Sequence, residues 1–401
     1  MIGWWPLCLC TADTTLFKVL RSRIGGIHTG KGKTALALLL SAALLCGQAL
    51  AHSHPGGSET GGPKTSSWAQ NEVARAGELG LLPSTGLPED YSAPMTRREF
   101  RLLMMQFIAR QNCSDLDSFQ KLIAFYLAEQ VENGTSAFSD GSLEDAYAYA
   151  IGLVQGDGTG AFRPEDTVTR QEAAVMLVRV YAICGGSFPA AEALNFQDAG
   201  EIPEWAVSSV AALAEWGIVK GNDEGCFAPE GLCTVEQGIA LLLRLYNGAL
   251  VSRERGNVTP LFSYGQVMTY LDSLLPVGSN HPAHTKSLQV EGPEATLIRL
   301  EPVGVMGGTS FIFMVHRQGG LCRVDLGICN TPYGEPNHQL ILENGAFTED
   351  GTAFTCTVTL KEDVISTFTE PAGVLLHEKG TYLIAVPVDA PDRGSAEKLP
   401  G

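Results

Sequence analysis

Two stretches of the chain read almost alike: GDGTGAFRPEDTVTRQE at residues 156–172 and GNDEGCFAPEGLCTVEQ at residues 221–237. Each stretch begins with a glycine-rich turn, continues through a Phe-x-Pro unit, and reaches a threonine seven residues after the phenylalanine. Self-similarity at a fixed spacing is typical of repeated supersecondary units. We therefore predict that the middle of the chain is an array of structural repeats.

A glycine followed 16 or 17 residues later by a threonine occurs three times in this region. A glycine ends an apolar segment at Gly80, Gly152 and Gly217. A threonine opens the next apolar segment 16 or 17 residues later, at Thr96, Thr169 and Thr234. Glycine ends helices because it takes left-handed geometry easily, and threonine is favoured where helices begin. Each repeat is therefore predicted to run helix, glycine stop, turn, extended Phe-x-Pro stretch, helix.

The second helix of each repeat has apolar residues at the spacing of one buried helical face. The residues concerned are Phe100, Leu103, Met104 and Phe107 in the first repeat, Ala173, Met176, Leu177, Val180 and Tyr181 in the second, and Val235, Ile239, Leu242 and Leu245 in the third. One such two-helix unit cannot bury its apolar faces alone. We therefore expect the three repeats to pack together.

Further motifs lie ahead of the glycines. Residues 138–140 (Phe-Ser-Asp) and 196–198 (Phe-Gln-Asp) lead into the second and third repeats, and Trp68 and Trp205 each lie 12 residues before a helix-ending glycine. The size of the two tryptophans and their helical position indicate that they are core residues.

Together these motifs resemble the S-layer homology module over about residues 66–250. The resemblance implies three modules forming a pseudo-threefold helical prism. It also implies that the protein is held on a bacterial envelope by binding secondary cell-wall polysaccharide, often pyruvylated, in grooves between repeats. The first repeat lacks Phe-x-Asp and the third has Val235 in place of the motif's arginine. Two grooves, or none, would then bind.

The Thr-Arg-x-Glu signature has two interpretations. The threonine and the acidic or amide residue three positions later form capping boxes, which explain Thr96 with Glu99, Thr169 with Glu172, and Thr234 with Gln237. A capping box requires nothing of the second position, where a guanidinium suits a carboxylate ligand. In the family this arginine and the Phe-x-Asp aspartate line the groove, so the candidate ligand-binding residues are Arg97, Arg170, Asp140 and Asp198. A turn or N-cap role for the aspartates stays open.

The last third of the chain has a different pattern. Residues Phe262 to Leu275 read as one amphipathic helix, and residues 278–286 read as a loop. Alternating apolar residues then predict strands at Ala295–Val303, Ser310–His316, Leu321–Ile328, Gln339–Leu342, Ala353–Leu360 and Thr381–Val388. This pattern favours a small all-β, sandwich-like domain.

The start of the chain reads as an export leader. Basic residues precede an apolar run, Ala35 to Leu45, and a small-residue site, Ala49-Leu50-Ala51. Ten cysteines occur in the chain, and seven follow this leader. Cys226 with Cys233, or Cys322 with Cys329, could pair, whereas a reducing habitat would leave all seven as thiols. A net charge of -17 argues against nucleic acid as a partner.

The predicted fold class is α+β multidomain, mainly an α-helical triplet of repeats followed by the β-domain. The predicted segments are a signal peptide (1–51), a flexible linker (52–65), repeat 1 (66–112), a helical insert (113–137), repeat 2 (138–186), repeat 3 (196–250), a helix and linker (251–286), the β-rich domain (287–390) and a tail (391–401).

The predicted function is that of a secreted cell-surface protein anchored to cell-wall polysaccharide or another peptidoglycan-linked polymer. No transmembrane segment is expected after the leader. Catalytic motifs such as Gly-x-Ser-x-Gly and His-Glu-x-x-His do not occur, so we expect no catalytic residues, metal or cofactor and no enzyme, with the C-terminal domain left open. The alternative is that the repeats are a degenerate scaffold. The β-domain would then be a secreted module that adheres or binds protein or glycan.

Overall fold

The computed structural model describes residues 63–156, 158–188, 194–254, 260–275, 284–302, 311–324, 341–360, 378–389, 391 and 394–400. The predicted signal peptide lies outside the described residues. The described chain divides into two compact units. The first unit contains residues 63–108 and 126–254, and the second contains residues 109–125 together with residues 260–400.

Helices account for about half of the residues that the structure describes before residue 275. Their bounds are α1 Gln70–Glu78, α2 Arg97–Gln111, α3 Leu116–Tyr126, α4 Ala128–Ala137, α5 Leu143–Ala150, α6 Arg170–Ile183, α7 Glu204–Glu215, α8 Val235–Glu254 and α9 Tyr264–Ser273, with a short 3-10 turn at Ala199–Glu201 before α7. Among the described residues, no helix is both long and apolar enough to span a bilayer.

Glycine ends the first helix of each repeat, as predicted. Gly80, Gly152 and Gly217 follow α1, α5 and α7, and their φ angles are 69°, 80° and 67°. The amide after each glycine then bonds back into the helix, as when Ile218 donates to the carbonyl of Leu213 at 2.9 Å. This geometry satisfies carbonyls that would otherwise have no partner at the helix end.

The residue before each repeat's threonine joins a closed cycle of backbone hydrogen bonds. Met95 donates to the carbonyl of Cys233 at 2.8 Å, Cys233 donates to Val168 at 2.9 Å, and Val168 donates to Met95 at 2.9 Å. The three repeats therefore meet through equivalent residues. The buried helical faces predicted for α2, α6 and α8 are confirmed, since every apolar residue named for them is at most 5% exposed.

The second unit contains two antiparallel four-stranded sheets. The first has the order β1-β2-β3-β4 and the second β5-β6-β7-β8, so each strand pairs with its neighbours in sequence. The strand bounds are β1 His284–Glu291, β2 Ala295–Pro302, β3 Phe311–His316, β4 Leu321–Arg323, β5 Ile341–Phe347, β6 Ala353–Leu360, β7 Gly380–Pro387 and β8 Ser395–Lys398.

Both sheets contribute to one buried cluster. Leu297 and Met314 from the first sheet lie in the same core as Cys356 and Ile384 from the second. Helices α3 and α9 of this unit add aromatic packing, with the rings of Phe125 and Tyr270 5.4 Å apart and at 70°.

Several sequence-based boundaries were wrong. Strand β1 was not predicted: it begins at His284, inside the predicted loop, and its Leu288 and Val290 pack on the core. Strand β8 lies in the predicted tail, and all four of its residues are exposed, so no apolar alternation marks it. Strand β5 extends to Phe347, well past the predicted Leu342.

The predicted helical insert, residues 113–137, is not one element. A break at Leu127 separates α3 from α4, and Leu127 itself is buried. Residues 109–125 belong to the second unit, whereas α4 belongs to the first. The boundary between the two compact units thus falls after residue 125, inside a segment that the sequence analysis took as one insert.

Candidate functional site

All three predicted capping boxes are present as reciprocal hydrogen bonds. In each, the threonine hydroxyl accepts the amide three residues later and that residue's side chain accepts the threonine amide: Thr96 with Glu99, Thr169 with Glu172, and Thr234 with Gln237. These bonds fix where α2, α6 and α8 begin.

The first two amides of each of these helices bond to the next repeat. The pairs are Arg97 to Asp166 and Arg98 to Pro164, Arg170 to Gly231 and Gln171 to Pro229, and Val235 to Ala93 and Glu236 to Tyr91, all to backbone carbonyls at 2.8–3.1 Å. At a helix start, unpaired backbone amides can bind an anion, but here the first two amides already donate to backbone carbonyls. A bound anion at these helix starts would depend on side chains.

We call the contact between repeats 1 and 2 the first junction, formed by Arg97, Phe162 and Asp140. The Nε of Arg97 donates to the Phe162 carbonyl at 2.9 Å, and its guanidinium lies 5.3 Å from the Phe162 ring centroid. Its Nη1 also lies 3.4 Å from the carboxylate of Glu172. The Arg97 side chain is only 13% exposed, so it mainly holds two repeats together.

The second junction joins repeats 2 and 3 in the same way, through Arg170, Phe227 and Asp198. The Nε of Arg170 donates to the Phe227 carbonyl at 2.7 Å, and the guanidinium lies 5.1 Å from the Phe227 ring centroid. The Nη2 donates to the carbonyl of Lys220 at 3.1 Å. Gln237 stands where Glu172 stands in the first junction, so the capping residue here carries no charge.

The aspartate of the second junction supports the turn before α8. Asp198 accepts the amides of Phe227 and Ala228, both at 2.7 Å. Ala228 has a φ of 53°, a left-handed conformation that costs an alanine energy. The carboxylate offsets that cost by binding two adjacent amides.

The first junction repeats this arrangement. Asp140 accepts the amide of Phe162 at 2.7 Å and that of Arg163 at 2.9 Å, and Arg163 has a φ of 55°. Both predicted aspartates therefore have a turn-stabilising role. The structure also brings each of them beside the phenylalanine on which the predicted arginine stacks.

Electrostatics link the arginine and the aspartate of the second junction. Burial acts to raise the pKa of Asp198, but the amides of Phe227 and Ala228 and the charge of Arg170 outweigh it and hold the pKa below its ordinary value. Burial lowers the pKa of Arg170, with Asp198 acting in the opposite direction. An arginine stays protonated under such a shift, so the junction keeps a cation and an anion side by side.

The third junction, between repeats 3 and 1, is built differently. Val235 occupies the arginine position, and the following Glu236 is only 3% exposed. Its carboxylate accepts the amide of Ser66 at 2.8 Å. Sequence reasoning missed Glu236 because a glutamate at the second position of a helix is ordinary.

The prediction that Trp68 and Trp205 are core residues was wrong. Trp68 is 47% exposed and Trp205 is 54% exposed. The neighbouring alanines take the core positions instead, since Ala69, just before α1, and Ala206, within α7, are fully buried. The Trp-Ala pair thus places the small residue inside and the large one outside.

Sequence reasoning also missed the two phenylalanines on which the arginines stack. Phe162 and Phe227 are each 1% exposed, and each receives the guanidinium of the preceding repeat. The constant seven-residue spacing between the Phe-x-Pro phenylalanine and the threonine was the available signal. It requires a pairing across repeats that no single repeat displays.

Comparison with known proteins supports the repeat assignment. The profile of the S-layer homology domain matches residues 146–174 and 195–234, which lie in the second and third repeats. An exoglucanase, XynX, of Acetivibrio thermocellus is 34% identical over 127 residues, which is 30% of this chain and 11% of that protein. An amylopullulanase of Thermoanaerobacterium thermosulfurigenes is 34% identical over 134 residues, or 32% of this chain and 7% of that protein.

A middle cell wall protein of Brevibacillus brevis is 26% identical over 121 residues, covering 30% of this chain and 11% of that protein. The chain thus spans about a tenth of the length of these relatives. The shared portion is a module and not a whole protein. The match of residues 146–174 and 195–234 identifies this chain as a protein that carries S-layer homology domains.

Proposed function

We propose that this chain is an exported envelope protein that its S-layer homology repeats hold non-covalently on cell-wall polysaccharide. The domain match in the second and third repeats is the observation that carries this proposal. The name of the Brevibacillus brevis relative, a cell wall protein, agrees with it. The cycle of hydrogen bonds through Met95, Val168 and Cys233 supports a pseudo-threefold arrangement of the three repeats.

The second junction is the better candidate for binding an anionic polymer. Arg97 already faces the carboxylate of Glu172, whereas the described contacts of Arg170 are to two carbonyl oxygens and a ring. The nearby carboxylate of Asp198 acts on Arg170 electrostatically, but it is held by the amides of Phe227 and Ala228. A carboxylate ligand would therefore bind Arg170 without displacing a direct ion pair. This local charge matters because the chain as a whole is acidic and would repel an anionic polymer.

The exposed tryptophans add a second kind of contact. An indole offers a flat apolar face and one N–H donor, which suits a sugar ring with its polar rim. Trp68 and Trp205 occupy matching positions in the first and third repeats and are about half exposed. We propose that they contribute to glycan binding.

Retention on purified cell-wall sacculi tests the proposal. Sacculi stripped of their attached polysaccharide serve as the substrate control. We expect the wild-type chain to be retained on intact sacculi only, and the Arg97→Ala, Arg170→Ala double variant to lose retention. Arg75→Ala is the matched control, because Arg75 is an exposed arginine of α1. Circular dichroism establishes that each variant is folded. Equal retention of a folded double variant would refute the residue assignment.

The scaffold interpretation is the second candidate, and the arginine contacts favour it. Both guanidiniums stack on a phenylalanine and bond to its carbonyl, which is a sufficient structural reason for their presence. The β-domain would then carry adhesion. Retention of the wild-type chain on stripped sacculi would favour this candidate. A test by deletion of residues 66–250 is unsuitable, because residues 109–125 belong to the second unit.

We propose no hydrolytic activity for this chain. Relatives named exoglucanase and amylopullulanase share 11% and 7% of their length with it, so their names describe proteins that are mostly unlike it. Release of reducing sugar from sacculi by the purified chain would contradict this proposal.

A further inference from the structure

We propose that Cys113 and Cys322 form a disulfide bond when the protein meets a disulfide oxidant. The bond would tie the turn at residues 112–115 to strand β4. Both cysteines belong to the second unit, although 209 positions separate them in sequence. The proposal does not depend on polysaccharide binding.

The turn lies along the edge of β4 that faces away from β3. β4 is the last strand of its sheet, and β3 bonds to one side of it. On the other side, the amide of Leu321 donates to the hydroxyl of Ser114 at 2.9 Å, and the amide of Arg323 donates to the carboxylate of Asp115 at 2.7 Å. These two bonds lie on either side of Cys322. They hold the turn and the strand in register.

The two cysteines meet between these bonds. The Sγ of Cys322 lies 3.2 Å from the backbone carbonyl oxygen of Cys113. A Cβ placed on Gly320 would lie 2.7 Å from that same oxygen, so only glycine lets the two backbones approach so closely. The contact of the Cys322 sulfur with the Cys113 backbone, together with the close approach at Gly320, places the two residues side by side. A disulfide requires Cα atoms roughly 4.4–6.8 Å apart, and the proposal requires that spacing here.

Exposure assigns the two thiols different parts in the reaction. Cys113 is partly exposed, whereas Cys322 is 4% exposed. The Cys113 thiolate attacks one sulfur of the oxidant, so that a mixed disulfide forms and one thiol leaves. The Cys322 thiolate then attacks the Cys113 sulfur, which forms the protein disulfide and releases the second thiol. Two protein thiols are oxidised, and one oxidant disulfide is reduced to two thiols.

The second step should depend on pH. Burial raises the pKa of Cys322 well above its ordinary value, and the charge of Asp115 acts in the same direction. Because only the thiolate attacks, closure of the protein disulfide should become faster as pH rises.

Peptide mapping of the full chain tests the pairing. The chain is incubated with oxidised glutathione, alkylated in denaturant and digested with trypsin. Cleavage after Arg110 and Lys121, and after Arg317 and Arg323, places Cys113 and Cys322 on the separate peptides 111–121 and 318–323. Cys329 and Cys356 fall on a third peptide, 324–361. We expect the two alkylated peptides to be lost together and one linked product of 111–121 with 318–323 to appear, which a reductant reverses.

Variants give the control and the opposing result. Cys226→Ser removes a cysteine of the first unit and should leave the linked product unchanged. Cys113→Ser should abolish it and leave peptide 318–323 alkylated. The inference is overturned if oxidised wild-type chain, with unchanged circular dichroism, yields both peptides alkylated. It is equally overturned if peptide 318–323 is linked to peptide 324–361 instead.

Discussion

Replacing Asp198 with alanine should destabilise the repeat unit by about 3 kcal/mol. Its carboxylate accepts two backbone amides, from Phe227 and Ala228, each at 2.7 Å. A hydrogen bond to a charged group contributes roughly 1.5–3 kcal/mol, and the lower value applies here because Asp198 is partly exposed. Two bonds at about 1.5 kcal/mol each give this estimate. Asp198→Asn should cost about half as much, because the amide oxygen still accepts one N–H.

Urea unfolding followed by tryptophan fluorescence measures this change. Trp68, Trp205 and Trp216 lie in the first unit, and the sequence of the second unit contains no tryptophan, so their emission reports on the repeats. Asp223→Ala is the matched control, because Asp223 is an exposed aspartate of the same loop. It should change the free energy of unfolding by less than about 0.5 kcal/mol. An Asp198→Ala effect as small as that of Asp223→Ala would refute the turn-stabilising role of the carboxylate.

The Asp198 carboxylate also makes the free energy of unfolding depend on pH. Because the pKa of Asp198 is lower in the folded state, its contribution is fully present above the unfolded pKa, near 3.8. That contribution is lost as pH falls through the lower folded pKa. The difference in stability between the wild-type chain and Asp198→Asn should therefore be constant from neutral pH to about pH 5 and shrink below about pH 4. A difference that grows on acidification would contradict this sign.

Three further outcomes follow from the repeats. Thr169→Ala should cost about 1 kcal/mol by removing the N-cap of α6, with Thr169→Ser restoring most of it in the same urea assay. Gly217→Ala should cost about 1–2 kcal/mol, since its φ is 67° although a Cβ there meets no atom within 4 Å. Gly200→Ala, equally unobstructed and without the left-handed φ, should be close to neutral. Trp205→Ala should keep stability within about 1 kcal/mol, because more than half of the side chain is exposed, yet reduce retention on sacculi. Unchanged retention would remove Trp205 from the proposed glycan surface.

Local rules made the helical region predictable. The glycine stops at Gly80, Gly152 and Gly217 depend on a backbone conformation that other residues adopt at a cost. The capping boxes depend on residues three positions apart, and the buried faces depend on a period of 3.6 residues. Each of these features is decided within about one helical turn, so the residues themselves carry the information.

Local rules did not predict which side chains are exposed, or which segments far apart in sequence come into contact. The size of Trp205 indicated a buried residue, but Ala206 beside it faces the core and leaves the indole outside. Strand β8 has four exposed residues and is held by backbone bonds to β7, so its side chains give no alternating pattern. Residues 109–112 read as the end of repeat 1 and residues 113–125 as part of an insert between repeats. Hydrogen-bond partners of Asn112, Ser114 and Asp115 instead lie 149 to 208 positions later in the chain.

By itself, the sequence indicated the helical repeats and the glycine stops and capping boxes that bound their helices. It also gave a resemblance to the S-layer homology domain, which the profile match bears out for the second and third repeats. The tertiary structure decided what the Phe-x-Pro phenylalanines and the arginines after Thr96 and Thr169 do. Arg97 and Arg170 each reach across to the phenylalanine of the next repeat, and Asp140 and Asp198 hold the turns that carry those phenylalanines. The physical reason is that an arginine can stack only on a phenylalanine of the neighbouring repeat, and an aspartate can accept only amides that the fold brings beside it. Only the contacts between repeats in the folded chain establish that adjacency.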